Sequence, residues 1–164
     1  MKWLVTGGLG FVGTNLVDQL LAQGCEVIVF DNFTRVGAEH NLAHLRSRHK
    51  KVCVVRGDIR NRSDLKRLAN NHAPFEAVAH IAGQVSLLNS IADPRTDFEI
   101  NAIGTLNICE LVRLYSPEAV LIYTSTNKVY GDLKEELVEE GKTRHFFKNM
   151  HFGIDETMAL DFHG

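Results

Sequence analysis

The chain has 164 residues, of which 45% are hydrophobic and 23% charged, and its formal net charge at pH 7 is −2. This length and composition are typical of one globular domain. Because basic residues are not in excess, a nucleic-acid partner is not expected, and because no run of about 18 apolar residues occurs, neither is a membrane span.

Short apolar runs alternate with helical patterns along residues 1–130. The apolar runs predict five strands, at 2–6, 25–30, 51–57, 76–82 and 119–125. Helices are predicted between them, at 11–24, 37–49, 63–72 and 93–115. Ser63 is the predicted N-cap of the third helix. Parallel strands need crossover helices, so the alternation predicts an α/β fold, with a doubly wound parallel sheet in strand order 3-2-1-4-5.

The segment between the first strand and the first helix is TGGLGFVG, in which Gly7, Gly10 and Gly13 follow the spacing G-x-x-G-x-x-G. Gly7 permits a tight turn, Gly10 lets the backbone approach a pyrophosphate, and Gly13 lets the helix pack closely against the strand. The backbone N–H groups at the helix start, at Phe11 and Val12, would face the phosphates. A glycine pattern alone is weak evidence, but one between a strand and a helix predicts a dinucleotide site.

An acidic residue ends the second strand, where the adenosine ribose of a dinucleotide is expected. Asp31 would accept hydrogen bonds from both ribose hydroxyls, with Asn32 beside it. A carboxylate there repels a 2′-phosphate, so NAD is the predicted cofactor, although Arg35 nearby favours NADP. In the alternative interpretation, Asp31 caps the start of its own loop together with Asn32.

The ends of the third and fourth strands should also contact the cofactor, because ligands bind at the carboxyl ends of parallel strands. In GDIR, Asp58 would accept a hydrogen bond from the adenine amino group, with Ile59 beside it. In HIAGQV, the small residues Ala82 and Gly83 leave room for the dinucleotide, and Gln84 follows them. The alternative role for Asp58 is that of an acid near a helix N-terminus.

Residues that often bind metals are scattered along the chain. Cys25, Cys53 and Cys109 form no Cys-x-x-Cys pair, so they are predicted to be small buried side chains in a reducing cytoplasm rather than metal or redox ligands. His80 is predicted to be a hydrogen-bonded histidine at a strand end rather than a catalyst. No metal site is expected.

Six short motifs, which together span nearly the whole chain, occur in the order found in one enzyme family. They are TGGLGFVG, DN (31–32), GDIR, HIAGQ, NAIGT (101–105) and STNKVYGD (125–132). With these motifs the chain resembles the extended short-chain dehydrogenases/reductases, in particular their NAD-dependent sugar-nucleotide epimerases and dehydratases. The resemblance implies bound NAD, a nucleotide-sugar substrate, more narrowly a CDP-hexose, and a homo-oligomer.

The resemblance also implies roles for single residues. Thr126 aligns with the catalytic hydroxyl residue that holds or helps to deprotonate a sugar hydroxyl. Thr124 would line the nicotinamide end of the site, and Asn101, in NAIGT, would bind the cofactor.

Tyr130 and Lys134 have the Tyr-x-x-x-Lys spacing of the family's catalytic pair. Tyr130 belongs instead to the VYG motif after the fifth strand, and Gly131 disfavours the helix that would stack the two side chains. The resemblance places the true pair on a later helix, beyond Gly164.

We therefore expect residues 1–164 to be an NAD-binding Rossmann domain that is incomplete at its C-terminal end, without the substrate domain. Five βα units are expected at 1–130, and an irregular charged segment with one short helix around 133–140 is expected at 131–164. The fifth strand should be an exposed edge, and the chain as given should not catalyse turnover.

Two alternatives to an epimerase of this kind remain. The chain could be a non-catalytic module that binds NAD(H), or it could belong to a 4-epimerase or a 4,6-dehydratase of the same family. Dehydratases carry an acidic pair after the threonine of the fifth strand, where this chain has Asn127 and Lys128.

Overall fold

A computed structural model describes residues 1–131, 133, 138–148 and 153–160. The chain divides into two compact units, Met1–Thr124 and Ser125–Gly164. The first unit holds a five-stranded sheet with its helices, and the second holds a two-stranded hairpin.

The sheet of the first unit has the predicted order, β3-β2-β1-β4-β5. All four neighbouring pairs are parallel. The strands are β1 (Lys2–Thr6), β2 (Glu26–Asp31), β3 (Cys53–Arg56), β4 (Ala77–His80) and β5 (Val120–Tyr123). The predicted doubly wound α/β fold is therefore confirmed.

The helices connect the strands, and two of their features differ from the prediction. They are α1 (Phe11–Ala22), α2 (Ala38–Arg48), α3 (Arg62–His72), α4 (Leu87–Ala92), α5 (Pro94–Phe98) and α6 (Thr105–Tyr115). A π-helical segment, Glu99–Gly104, joins α5 to α6, so the single helix predicted at 93–115 is interrupted in its middle. The short helix α4 was not predicted, because its exposed leucines give no one-sided apolar pattern.

The core consists of two apolar clusters, and each contains different side chains of the central strands. Successive side chains of a strand point to opposite faces, so Leu4 and Val5 of β1 belong to different clusters. The Leu4 cluster includes leucines of α3 and α6, and the Val5 cluster includes residues of α1 and α2. Helices thus cover both faces of the sheet.

The N-cap of α3 is Asn61 and not the predicted Ser63. The Asn61 side chain accepts hydrogen bonds from the backbone N–H groups of Ser63 (2.9 Å) and Asp64 (3.4 Å). Both residue types favour this position, so composition alone does not distinguish them. In the structure Ser63 lies inside the first turn.

The predicted burial of the cysteines is wrong for two of the three. Cys53 and Cys109 are exposed, and Cys25 is half-buried. Cys53 lies on β3, which is an edge strand of the sheet. Cys109 lies between the buried residues Ile108 and Leu111 of α6 but on the helix face that is turned to solvent.

The outer edge of the sheet, at β5, exposes apolar side chains. Val120, Leu121, Ile122 and Tyr123 are all exposed although β5 pairs with β4 along its length. Among the described residues no other strand pairs with β5. The predicted exposure of this edge is confirmed for that part of the chain.

The second unit contains a 3₁₀ turn (Asn127–Tyr130) and an antiparallel hairpin of β6 (Val138–Glu140) and β7 (His145–Phe147). Residues 138–140 are therefore a strand and not part of the helix predicted around 133–140. The stretch 134–137 of that prediction lies outside the described residues. No helix in the described part of the chain is long and apolar enough to cross a bilayer.

Candidate functional site

The carboxyl ends of the five parallel strands meet along one edge of the sheet. The segments that follow them are the glycine turn after β1, the loops after β2 and β3, the loop after β4, and Thr124 after β5. In open α/β sheets ligands bind along this edge. Most cofactor-contact residues predicted from the sequence lie on these segments or next to them. Phe11, Val12 and Gly13 form the start of α1, Asp31 ends β2, and Asn101 lies on the π-helical segment.

The glycine turn requires glycine at its first position. Gly7 has φ +67°, and a Cβ there would lie 2.7 Å from the backbone nitrogen of Ala82. The Gly7 N–H donates to the Phe30 carbonyl (2.9 Å), and the Gly7 carbonyl accepts from Gly10 N–H (3.0 Å). The turn is thus tied to β2 and packed against the loop after β4.

The start of α1 packs against the glycine turn itself. A Cβ on Gly13 would overlap the Gly7 carbonyl oxygen and lie 2.7 Å from the Gly8 Cα. The close contact that Gly13 permits is therefore with the turn, rather than with the strand as the sequence predicted. Phe11 and Val12 are 85% and 56% exposed at the start of α1. Their position leaves the helix N-terminus accessible to an anion.

Asp31 connects the glycine turn to the loop after β2. Its Oδ2 accepts from Leu9 N–H (3.0 Å) and its Oδ1 from Phe33 N–H (2.9 Å). The interpretation of Asp31 as a loop cap is therefore correct. It does not compete with ribose binding, because each carboxylate oxygen has a second lone pair. Asn32 caps the same loop, since its Oδ1 accepts from Thr34 N–H (3.1 Å) and Oγ1 (2.8 Å).

Asp58 is held by Arg60 at the end of β3. Its Oδ1 and Oδ2 accept from Arg60 Nε (3.0 Å) and Nη2 (2.8 Å), and Oδ2 also accepts from Asn32 Nδ2 (3.3 Å). Arg60 holds the pKa of the Asp58 carboxyl below its usual range. The acid near the α3 N-terminus is Asp64, which accepts from Asp58 N–H (3.1 Å), so Asp58 is not that helix acid.

Ile59 has its side chain in the core and not on the candidate site. It is buried, and a Cβ on Gly104 would lie 2.5 Å from its Cδ1. Only the backbone of Ile59 can therefore contribute to ligand binding. Gly104 lets the π-helical segment approach this residue closely.

Asn101 holds the backbone of Gln84, in the loop after β4, through its side-chain amide, and we call this pair of contacts the Asn101 clamp. Its Oδ1 accepts from Gln84 N–H (2.8 Å), while its Nδ2 donates to the Gln84 carbonyl (3.1 Å) and to Asp97 Oδ1 (3.1 Å). Gly83, just before the clamp, is exposed. The sequence indicated Asn101 as a ligand-binding residue but did not predict this contact with the loop.

His80 is 2% exposed and hydrogen-bonded through both ring nitrogens. Nδ1 lies 2.6 Å from Thr6 Oγ1, and Nε2 lies 3.0 Å from Thr105 Oγ1. Burial lowers the pKa of His80 from 6.5 to about 4, so its imidazole is neutral at pH 7. The predicted role as a hydrogen-bonded strand-end histidine is confirmed. Thr124 comes directly after β5, and its Oγ1 donates to the His80 carbonyl (3.3 Å).

The second unit holds the predicted catalytic hydroxyl, Thr126. Its Oγ1 accepts from Lys128 N–H (3.2 Å) at the start of the 3₁₀ turn. Tyr130 ends this turn, donates its hydroxyl to the Asp155 carbonyl (3.4 Å) and is followed by Gly131 at φ +67°. The turn stops at Tyr130, as the sequence predicted, whereas Lys134 lies outside the described residues.

Metal ligands are not clustered in the described part of the chain, where no group of three or more His, Cys, Asp or Glu side chains is arranged to hold an ion.

The sheet order, the glycine turn and the acid at the end of β2 together define a dinucleotide-binding Rossmann domain. A profile of the family described as GDP-mannose 4,6 dehydratase matches residues 4–147. The chain belongs to this family, among the NAD-dependent sugar-nucleotide epimerases and dehydratases of the extended short-chain dehydrogenase/reductase class.

Individual relatives refine this assignment. The CDP-paratose 2-epimerase of Salmonella typhi is 48% identical over 163 residues, which cover 99% of this chain and 48% of that enzyme. The stretches AGQVS, DPRTDFEINAIGTLN and TSTNKVYGD indicated this particular resemblance, which is confirmed.

Two solved structures share the fold. The Thermus thermophilus UDP-glucose 4-epimerase in complex with NAD has a TM-score of 0.72 and 33% identity, over 98% of this chain and 44% of that chain. The Bifidobacterium longum UDP-glucose 4-epimerase with NAD⁺ and UDP has a TM-score of 0.70 and 28% identity, over 80% and 38%. The chain thus spans about half, or less, of the length of each of these three proteins.

Proposed function

We propose that the chain binds NAD at the carboxyl edge of its sheet and supplies the cofactor half of a nucleotide-sugar epimerase that acts on a CDP-hexose. The observation that carries the cofactor assignment is the position of Asp31 at the end of β2, joined to the glycine turn through Leu9 N–H. The substrate assignment rests on the 48% identity to a CDP-paratose 2-epimerase.

The adenosine half of NAD would lie over the ends of β2 and β3. The N-terminus of α1 and the glycine turn, with Gly7, Gly10, Phe11, Val12 and Gly13, would bind the pyrophosphate. Asp31 and Asn32 would bind the ribose. Asp58 would accept from the adenine amino group through Oδ2 in place of the long bond from Asn32 Nδ2 (3.3 Å), because Arg60 occupies the other acceptor sites of this carboxylate. Ile59 would contribute its backbone.

The nicotinamide half would lie over the ends of β4 and β5. The adjacent residues there either have small side chains or have their backbone held by Asn101. Ala82 and Gly83 present little side-chain bulk, and Asn101 fixes the backbone of Gln84. Thr124 is exposed at the end of β5. NAD, when bound, accepts and returns the hydride of the epimerised carbon, and these residues position it.

Thr126 would hold the sugar hydroxyl whose proton leaves during oxidation, because it aligns with the family's hydroxyl residue. Tyr130 is not suited to take that proton, since it ends a 3₁₀ turn and donates to a backbone carbonyl. We therefore infer that the 164-residue chain alone binds the dinucleotide without turnover.

Calorimetric titration with NAD⁺ and NADP⁺ tests the cofactor assignment. The unmodified chain should bind NAD⁺ more tightly than NADP⁺. Asp31→Ala should weaken NAD⁺ binding about tenfold and so reduce the difference between the affinities for the two dinucleotides. Glu26→Gln is the matched control, because Glu26 is an exposed acid at the opposite end of the same strand. Tighter binding of NADP⁺ by the unmodified chain would refute the assignment.

Turnover tests the substrate assignment. The 164-residue chain should not convert CDP-paratose, whereas a chimera that continues it with the corresponding C-terminal half of the Salmonella typhi relative should. In the chimera, Thr126→Val should lose turnover and Thr126→Ser should retain it. A chimera that binds NAD⁺ and stays inactive would contradict the assignment.

A 4-epimerase of the same family is the second candidate, favoured by the two UDP-glucose 4-epimerases that share the fold. Their identity of 33% and 28% is lower than the 48% of the CDP-paratose enzyme. Conversion of UDP-glucose but not CDP-paratose by the chimera would favour this candidate. A homo-oligomer also remains a proposal, supported by the exposed apolar edge at β5.

A further inference from the structure

A continuous series of hydrogen bonds runs through the buried His80 from one side of the candidate site to the other. Ala82 N–H donates to Thr6 Oγ1 (3.3 Å), which lies 2.6 Å from His80 Nδ1. His80 Nε2 lies 3.0 Å from Thr105 Oγ1, which donates to the Asn101 carbonyl (2.7 Å). Four hydrogen bonds thus connect residues of β1, β4, the loop after β4, α6 and the π-helical segment.

The direction of every bond in the series follows from the carbonyl at its Asn101 end and from the neutral charge of His80. A backbone carbonyl only accepts, so the Thr105 hydroxyl proton is used on Asn101 and its oxygen must accept from His80 Nε2–H. His80 is then the neutral Nε2–H tautomer, and its Nδ1 accepts from the Thr6 hydroxyl. The Thr6 oxygen remains as the acceptor for Ala82 N–H. A protonated His80 would have two donors and would reverse the bond to Thr6, whose oxygen would then accept from both Nδ1–H and Ala82 N–H.

Thr6, Ala82 and Asn101 place this series in contact with three segments around the nicotinamide half of the proposed site. Thr6 precedes the glycine turn, and Ala82 is the residue against which Gly7 packs. Asn101 clamps Gln84 with its side chain while its carbonyl accepts from Thr105. An apolar side chain in place of His80 could fill the space but could not orient these groups.

We propose that His80 is a positioning residue, which acts through Thr6 and Thr105 to fix the glycine turn, the loop after β4 and the Asn101 clamp in the arrangement that receives NAD. The proposal rests on the NAD site proposed above. His80 does not touch the cofactor in this scheme. Its neutrality also keeps a positive charge away from the positively charged nicotinamide ring of NAD⁺.

Substitution of Thr105 tests the proposal without removing the buried histidine, whose loss could unfold the chain. Thr105→Val preserves the shape but leaves His80 Nε2–H without an acceptor, whereas Thr105→Ser keeps the hydroxyl. NAD⁺ affinity, measured by calorimetry on the folded chain, should fall about tenfold in the valine variant and stay within about threefold in the serine variant. Equal affinities of the two variants would overturn the proposal, even if the valine variant is less stable to urea.

Nuclear magnetic resonance provides a measurement that does not depend on NAD. In the free chain the His80 ring should be the Nε2–H tautomer at pH 7.5, and Thr6→Val should speed hydrogen exchange of the Ala82 amide about tenfold relative to Thr6→Ser. The Nδ1–H tautomer, or unchanged exchange, would overturn the proposal. Failure of the unmodified chain to bind NAD⁺ would refute the proposed function instead, and the tautomer and exchange data would still decide whether His80 orders these loops.

Discussion

The two halves of the candidate site are held together by different chemistry. The loops after β2 and β3 are fixed by ionised side chains, with Asp31 on backbone N–H groups and Asp58 paired with Arg60. The loop after β4 is fixed by neutral groups, namely His80 and Asn101. The ionised half would bind the polar adenosine diol and amino group, and the neutral half would receive a ring whose charge changes during hydride transfer.

This contrast has a physical reason. A carboxylate can stay ionised at low cost when a guanidinium binds it, as Arg60 does for Asp58, whose pKa lies below its usual range. A buried imidazole between two hydroxyls has no counter-charge, so it stays neutral. In the described part of the chain, acidic side chains therefore bond the loop backbone on the adenosine side, whereas on the nicotinamide side the Asp97 carboxylate bonds the Asn101 amide, which in turn bonds the loop.

The largest effect is expected from Gly10→Val, because the glycine turn serves both halves. A branched side chain at this position would occupy the space proposed for the pyrophosphate, and NAD⁺ affinity should fall more than about a thousandfold. The fold should survive with a small local shift of the turn, since a Cβ on Gly10 would lie 3.3 Å from the Gly7 carbonyl oxygen and meet no atom of the sheet. Far-ultraviolet circular dichroism and calorimetric titration measure the two properties. Binding that persists in a folded variant would mean that the turn is not the phosphate site.

Stability against pH tests the neutral half. The folded-state pKa of His80, about 4, lies below its ordinary value of 6.5. Between these values the unfolded chain binds a proton that the folded chain does not, so the free energy of unfolding falls as the pH drops from 6.5 towards 4. The loss attributable to His80 should reach about 3 kcal/mol at the acid end of this window.

Urea unfolding of the unmodified chain and of His80→Gln, compared at each pH, isolates this loss. Contributions from carboxyl groups occur in both chains and cancel in the difference. As the pH falls from 6.5 to 4, the free energy of unfolding of the unmodified chain should fall relative to that of His80→Gln. A difference independent of pH would show that His80 takes up a proton in the folded chain as readily as in the unfolded one.

Arg60→Met tests the ionised half. Loss of the guanidinium should raise the pKa of Asp58 towards its usual range and let its carboxylate turn away from the adenine position, weakening NAD⁺ binding about tenfold. Arg113→Met is the matched control, because Arg113 also binds a carboxylate through two nitrogens (2.8 Å each, to Glu110) but lies on α6 near its C-terminal end. Equal losses in both variants would show that Arg60 has no specific role in binding.

Sequence patterns predicted the parts of this molecule that depend on local spacing. The strand order, the tight turn at Gly7 and the strand-end position of Asp31 follow from short motifs and from the alternation of strands and helices. The sequence predicted that His80 is hydrogen-bonded but not which residues bind it or that its imidazole is neutral. Its two partners lie 74 positions before it and 25 positions after it in the chain.

Other features depend on contacts that spacing does not reveal. The Asn101 clamp requires a π-helical segment inside a longer helix, and the apolar periodicity of 93–115 gave no sign of it. The pairing of Arg60 with Asp58 was visible only as two charged residues in one motif, a pattern that usually indicates two solvated side chains. The exposure of Cys53 follows from the edge position of β3, which a strand pattern alone does not indicate.

The smallest effect is expected at the N-terminus of α3, which supports the adenosine side because Asp64 in its first turn accepts from Asp58 N–H. Asn61→Ala removes the oxygen that accepts from two backbone N–H groups, so it should lower the free energy of unfolding by about 1 kcal/mol. Ser63→Ala should change it by less than about 0.5 kcal/mol, because Ser63 lies beyond the cap. Urea denaturation at pH 7 measures both. NAD⁺ affinity should fall only slightly in Asn61→Ala, because Arg60 still binds the Asp58 carboxylate. A tenfold loss of affinity would mean that the N-terminus of α3, and not Arg60, sets the position of this carboxylate.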